Sequence, residues 1–257
     1  MYLLRHFIFV AITLGRCILA LRFRDCVVWL RHALVWLGDS LSLTFSRSRR
    51  VECDCCGWRG NRFFLQTFIS GTYVHRSREI CPRCQSLARQ RQLVRHLRDR
   101  TQLLSLNAPS ILDIAPTEAV IGWFRKQGIT NITTVDLRPG VAALIMDITR
   151  LGFKNDVFDY VVCSHVLEHV PEDLAAMSEM LRVLKPEGKC IVQVPTHPGL
   201  LETTEYGKPK PEEFDHVRAY GQDFASRLKS VGFEITCAEK YAEDGMFEMT
   251  KHRLTTE

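Results

Sequence analysis

The chain has 257 residues, 46% of them hydrophobic and 25% charged. These proportions exclude a mainly disordered or collagen-like chain, and a mean hydropathy near zero excludes a polytopic membrane protein. The net charge of +5 hides a division: residues 1–110 hold eighteen arginines, no lysine and six acids, whereas 111–257 hold sixteen basic and 23 acidic residues. The length fits one large domain, or a domain plus a small module.

Residues 1–45 read as two apolar helices punctuated by arginine. In the first, Met1–Leu21, the longest run free of Arg, Lys, Asp and Glu is His6–Gly15, ten residues, against the ~20 needed to span a bilayer. Arg5 and Arg16 share a helical face, the pattern of an amphipathic helix lying in a membrane interface. Packing on the rest of the protein, or on a second copy, is an equal alternative. A signal peptide is a third reading, though no clean small-x-small cleavage site follows. The second stretch, Cys26–Leu43, has the same character. The expected location is cytoplasmic, with peripheral contact to the inner face of the membrane. Ser46–Arg50 is a basic linker.

Five of the ten cysteines lie within 53–84. Cys53-Asp-Cys-Cys56 and Cys81-Pro-Arg-Cys84 are two C-x2-C knuckles separated by 24 residues. Phe63–Val74 between them is rich enough in aromatic and β-branched residues to form hairpin strands. Thiolates of Cys53, Cys56, Cys81 and Cys84 at this spacing suit a tetrahedral zinc ion, and four protein ligands make the site structural. Two disulfides, redox thiols, or Cys55 replacing one ligand are the competing readings.

Gln85–Leu106 has helical spacing. Leu87, Leu93, Val94, Leu97 and Leu104 mark an apolar face, and Arg89, Arg91, Arg95, Arg98 and Arg100 mark the other. The arginines read as a solvated face. Nucleic-acid binding is the less favoured reading, because no aromatic residues are clearly interleaved for stacking. Residues 51–106 thus form a ribbon plus an Arg-rich helix, and Asn107–Ser110 leads into a third region, 110–257.

From Ser110 short β-branched runs alternate with helical segments, which points to a parallel α/β sheet. The expected strands are Ser110–Ile114, Asn131–Asp136, Leu144–Asp147, Tyr160–Ser164, Lys189–Val194 and Phe233–Ala238. The expected helices are Ala119–Gln127, Glu172–Leu184 and Asp223–Ser230. Lys185–Gly188 reads as a turn, and Thr196–Pro211 as a long loop. Asp136, ending the second strand, stands where an acid can accept both hydroxyls of a ribose. Asp147 ends the third strand, where an adenine amino group would be read. Glu168 and His169 read as a local pair fixing the turn after the fourth strand.

The run FDYVVCSHVLEHVPEDLAAMSEMLRVLKPEGKCIVQVP resembles class I S-adenosylmethionine-dependent methyltransferases from their fourth strand through their fifth. The whole of 53–238 resembles a subgroup in which a four-cysteine zinc ribbon and an Arg-rich helix, here CPRCQSLARQR, precede the catalytic domain. That subgroup also carries a segment like DHVRAYGQDF, here Asp215–Phe224. The resemblance implies a Rossmann-like seven-stranded sheet whose last strand is antiparallel, preceded by the ribbon and the N-terminal helices. It implies a ribose on Asp136 with Leu137 beside it, and an adenine flanked by Asp147 and Ile148. Ser164 and His165 would then line the pocket near the methionine end, with Asp113, Ala115 and Pro116 forming the first loop. That loop departs from the usual glycine-rich pattern. Ala115 stands at the first glycine position, and Pro116 has no N–H to donate.

Methyl transfer from a sulfonium is an in-line displacement, so positioning can supply most of the catalysis. Where the acceptor must lose a proton, His165, Asp215 and His216 are the candidate bases, with Arg218 and Tyr220 as orienters. Thr196–Pro211 would serve as a lid. The sequence reading is therefore a methyltransferase using S-adenosylmethionine and a structural zinc ion, acting on a small-molecule or envelope-associated acceptor. The alternative is a non-catalytic zinc-ribbon protein that binds nucleic acid and carries a relic of the methyltransferase fold.

Overall fold

The computed structural model describes residues 51–70, 73–241 and 244–251. The two helices expected over 1–45 lie outside the described residues. Among those described, no helix is long and apolar enough to cross a membrane. The chain divides into two compact units, one ending at Arg91 and the other beginning at Gln92. The division falls inside helix α1, Ala88–Asp99.

In the first unit, the short strands β1 (Val51–Glu52) and β2 (Arg59–Gly60) pair antiparallel around the first cysteine knuckle. Strands β3 (Phe64–Ser70) and β4 (Tyr73–Ile80) form the antiparallel hairpin that the residues between the knuckles foretold. Arg91 departs from the expected solvated face. It is buried, its Nη1 donates to the carbonyls of Glu79 and Ser86, and its guanidinium stacks 3.7 Å from the centre of the Phe63 ring. Two backbone acceptors and an aromatic face within reach make an arginine cheap to bury.

The second unit is built on a seven-stranded sheet in the order β12-β13-β9-β8-β5-β6-β7. Its strands are β5 (Ile111–Ile114), β6 (Ile132–Asp136), β7 (Leu144–Ile145), β8 (Phe158–Ser164), β9 (Leu184–Pro195), β12 (Phe233–Tyr241) and β13 (Asp244–Lys251). Strands β5 to β9 pair in parallel, and β13 inserts antiparallel between β9 and β12. This is the sheet the sequence implied, last strand included. Alternation along the central strands sends Leu112, Ile114, Val161, Cys163, Val192 and Val194 into one core. There they meet Ala176, Met177 and Met180 of α3 (Asp173–Val183) and Leu228 of α4 (Phe224–Ser230). The intervening Ile111, Val162 and Ile191 are equally buried, as strands covered on both faces must be. Helix α2, Glu118–Lys126, buries Val120, Trp123 and Phe124.

Two segments differ from expectation. Thr196–Pro211 is not a continuous loop, because β10 (Thr204–Lys210) pairs antiparallel with β11 (His216–Ala219). Residues of β10 are exposed on both faces, so no alternation marked the strand, and its register is held by Glu205 facing Arg218. Lys185–Gly188 is not a free turn but a bulge within β9. Pairing passes from Phe158 with Leu184 straight to Tyr160 with Lys189. Gly188 suits the bulge, since a Cβ there would stand 3.0 Å from the Asp159 carbonyl.

Candidate functional site

In the first unit, each knuckle is closed by backbone bonds. Gly57 N–H donates to the Cys53 carbonyl (2.7 Å) and Gln85 N–H to the Cys81 carbonyl (2.9 Å). The residue after each knuckle is left-handed, Gly57 at φ +70° and Gln85 at φ +62°. The sulfurs of Cys53, Cys56, Cys81 and Cys84 lie within 4.8 Å of one another, and Cys53–Cys84 and Cys56–Cys81 are each separated by 3.6 Å. A disulfide would hold them at about 2.05 Å. Arms of about 2.3 Å around a tetrahedral zinc ion would hold them about 3.8 Å apart, so the donor set and spacing fit zinc. The Ser86 hydroxyl lies 3.3 Å from the Cys53 sulfur and 3.2 Å from that of Cys84, placed to stabilise thiolates.

In the second unit, Asp113, Ala115, Asp136, Ser164 and His165 stand at or near the carboxyl ends of β5, β6 and β8, where a doubly wound sheet binds its ligand. Asp113 is buried within β5. Its Oδ2 has no hydrogen-bond partner, and burial pushes its carboxyl up to about 7. Ala115 continues from that strand at φ +53°, its N–H bonded to the Val135 carbonyl at 2.8 Å. A left-handed alanine is strained, and such strain gathers at functional loops. Asp136 closes β6, where Arg138 donates to it through its backbone N–H (2.7 Å), Nε (3.1 Å) and Nη2 (2.9 Å). The Arg138 contact holds the Asp136 carboxyl below its ordinary value against the pull of burial. Leu137 between them is exposed. Asp147 accepts from the backbone and hydroxyl of Thr149, both at 2.8 Å, and so holds its own turn. Ile148 beside it is buried.

The end of β8 carries a cluster of polar groups. The Ser164 hydroxyl donates to Gln193 Oε1 at 2.8 Å, and His165 N–H donates to the Gln193 carbonyl at 2.8 Å. His165 is left-handed, at φ +55°. Its Nδ1 lies 3.2 Å from Glu168 and its Nε2 3.3 Å from Asp244. Burial alone would lower its pKa, but the Asp244 and Glu168 carboxylates outweigh that and raise it. Gln193, fully buried, also donates to Gln92 and Asp244, each at 3.3 Å. Sequence reasoning missed Gln193 and Asp244. A lone amide inside the apolar run CIVQVP was the signal for the first, and nothing local marked the second.

His216 opens β11, its ring 4.8 Å from that of His169 in an edge-on arrangement. Burial, followed by the opposed charges of its neighbours, leaves its pKa lowered. Asp215 is exposed at a left-handed turn, its N–H on the Lys210 carbonyl. Arg218 and Tyr220 are not free to orient an acceptor. Arg218 is buried, bonded to the carbonyls of Leu167, Val170 and Pro171 and to Glu205. Tyr220 is buried with its hydroxyl on Asp173 at 2.9 Å.

Residues 112–192 match the family described as the methyltransferase domain. Over 103 residues the chain is 34% identical to the sterol 4-C-methyltransferase of Caenorhabditis elegans, covering 39% of this chain and 27% of that protein. Over 106 residues it is 44% identical to the demethylmenaquinone methyltransferase of Beutenbergia cavernae, covering 35% of this chain and 44% of that one. The chain thus spans between about a quarter and under a half of these relatives' lengths. Among solved structures, the Burkholderia thailandensis 1,6-didemethyltoxoflavin-N1-methyltransferase, with bound 1,6-didemethyltoxoflavin and S-adenosylhomocysteine, aligns with a TM-score of 0.51. The two share 16% identity over 65% of this chain and 79% of that one. The [4+2]-cyclase SpnF aligns with a TM-score of 0.50 and 17% identity, over 63% and 80%. At such identities these two likenesses concern the fold alone. Sheet order and the antiparallel last strand give the second unit the fold of class I methyltransferases, and the family match falls on residues 112–192 of it.

Proposed function

We propose that the chain is an S-adenosylmethionine-dependent methyltransferase acting on a small-molecule or envelope-associated acceptor. The observation that carries this reading is the acid at the end of β6, Asp136, standing beside the strained loop at Ala115 that leaves β5. The residues fit the cofactor. Asp113 offers a buried carboxylate oxygen with no partner, and Asp136 offers two oxygens held by an arginine whose side chain is 71% exposed and free to swing out. The glycine-less loop costs less than its composition suggests, since Ala115 already adopts the left-handed conformation a glycine would.

When bound, the cofactor supplies a methyl group on a sulfonium. Asp136 would hold its ribose with Leu137 alongside, Asp147 and Ile148 its adenine, and Asp113, Ala115, Pro116, Ser164 and His165 its methionine end. His165 faces a carboxylate from each ring nitrogen, so it serves better as a fixed positive charge than as a base. Proton removal, where the acceptor needs it, falls to the groups of β11 and its turn, His216 and Asp215. Relatives named for sterol and demethylmenaquinone methylation support a small, apolar acceptor. The four cysteines, with their sulfur spacing, support a structural zinc ion in the 51–106 segment ahead of the 110–257 catalytic domain.

Calorimetry with S-adenosylhomocysteine on the zinc-loaded chain tests the reading. Binding that Asp136→Ala weakens at least tenfold is expected. No binding would overturn it in favour of a relic fold whose arginines bind nucleic acid.

A further inference from the structure

Glu168 lies in the turn after β8, fully buried, and neither carboxylate oxygen has a hydrogen-bond partner. A buried, unbonded carboxylate is strongly disfavoured unless a positive charge answers it. His165 approaches Oε1 at 3.2 Å, but without hydrogen-bond geometry, and it is shared with Asp244. One imidazolium between two carboxylates leaves a residual negative charge.

Two further imidazoles stand near Glu168. One ligand atom each from Glu168, His169 and His216 lies within 4.8 Å of the others. The first two come from the 3-10 turn Leu167–His169 and the third from β11. Arg218, two residues along β11 from His216, clamps that turn by bonding the carbonyls of Leu167, Val170 and Pro171. The two segments are thus locked together by a group that is not itself a ligand, and the ligands are held in place in advance.

We propose that Glu168, His169 and His216 bind a divalent first-row transition ion, separate from the four-cysteine site. Two imidazole nitrogens and one carboxylate suit zinc, iron(II), cobalt(II) or manganese, whereas magnesium and calcium prefer oxygen alone. Arms of about 2.1 Å need ligand atoms about 3.4 Å apart, so atoms now within 4.8 Å of one another draw together when the ion binds. Three protein ligands leave at least one position open, for water or for an acceptor oxygen. An ion there would lower the pKa of a bound hydroxyl and take over the role otherwise left to His216 as a base. That last consequence rests on the methyl-transfer reading, and the metal site itself does not.

The test uses cobalt(II) and the full reduced chain, with bound metal counted after equilibrium dialysis. Two ions per chain are expected, one showing the intense thiolate bands of a four-sulfur site and one only weak nitrogen–oxygen bands. His216→Gln and Glu168→Gln should each remove the second ion and leave the first, while Cys81→Ser should remove the first and leave the second. His169→Gln alters an exposed side chain, so it reports on the ligand set even where Glu168→Gln fails to fold. A single ion per chain, lost in Cys81→Ser and retained in His169→Gln and His216→Gln, would overturn the proposal. S-adenosylhomocysteine calorimetry on the same samples separates this failure from that of the methyltransferase reading.

Discussion

Arg138 encircles the carboxylate of Asp136, two residues before it, with three donors between 2.7 and 3.1 Å. The acid proposed to receive a ribose therefore already has a partner, and the partner is largely exposed. With one partner open to solvent, such an ion pair contributes about 0.2–1 kcal/mol. Arg138→Ala should thus strengthen S-adenosylhomocysteine binding by roughly 1.5- to 5-fold, while Asp136→Ala weakens it at least tenfold. Calorimetry on both variants checks the pair of signs. Weaker binding in Arg138→Ala would mean that the arginine holds the ligand rather than competing with it.

Asp113 sets a pH dependence. Burial pushes its carboxyl up to about 7, well above its unfolded value. Between the ordinary carboxylate range and pH 7, the folded state keeps a proton that the unfolded state has lost, so stability falls as pH rises through that window. Below the window the penalty vanishes, and above it the penalty is complete, at up to about 4 kcal/mol. Asp113→Asn cannot ionise and should escape it. Urea unfolding at pH 5 and pH 8 should show the variant gaining stability relative to the parent as pH rises. A difference independent of pH would rule this out.

Residues with a local signature were legible before the structure, and those defined by distant partners were not. Strands β5, β6, β8 and β9 announced themselves as β-branched runs between turn residues, and Asp136 was singled out because it ends one of them. The cysteine knuckles carried their own spacing. By contrast, β10 is exposed on both faces and exists through its pairing with β11, so no alternation marked it. Arg91 read as solvated because helical periodicity assigns a face without knowing that the Glu79 and Ser86 carbonyls await it. Arg218 and Tyr220 looked like acceptor-side groups by position, yet both are spent on holding the 167–173 segment. Asp244 reaches His165 from another strand of the sheet, a meeting that only the folded topology creates.

Two glycines should respond in opposite directions to the same substitution. A Cβ on Gly221 would stand 2.6 Å from the carbonyl carbon and 2.7 Å from the oxygen of Glu202, both backbone atoms that cannot rotate away. Gly221→Ala should therefore cost about 1–3 kcal/mol through forced displacement. Gly122 lies inside helix α2 with nothing within 4 Å of its would-be Cβ. Gly122→Ala should stabilise by about 0.5–1 kcal/mol, since alanine loses less backbone entropy in a helix. Urea midpoints of the two variants should bracket that of the parent, and a destabilised Gly122→Ala would contradict the open space found around that position.

The four-cysteine site should make folding of the first unit depend on metal. Its strands are short, and β1 and β2 contribute only two residues each, too little to hold two knuckles face to face without a cross-link. Cys53→Ser and Cys84→Ser should each lose one equivalent of zinc by metal analysis. Chelation should expose the amides of Cys53 and Cys81, now bonded to the carbonyls of Trp58 and Ser86, to rapid hydrogen exchange. Thiol titration separates the alternatives: zinc removal should release four reactive thiols from this cluster, whereas two disulfides would release none until a reductant is added. The 3.6 Å sulfur separations predict the first result, and purified, reduced protein free of zinc would refute it.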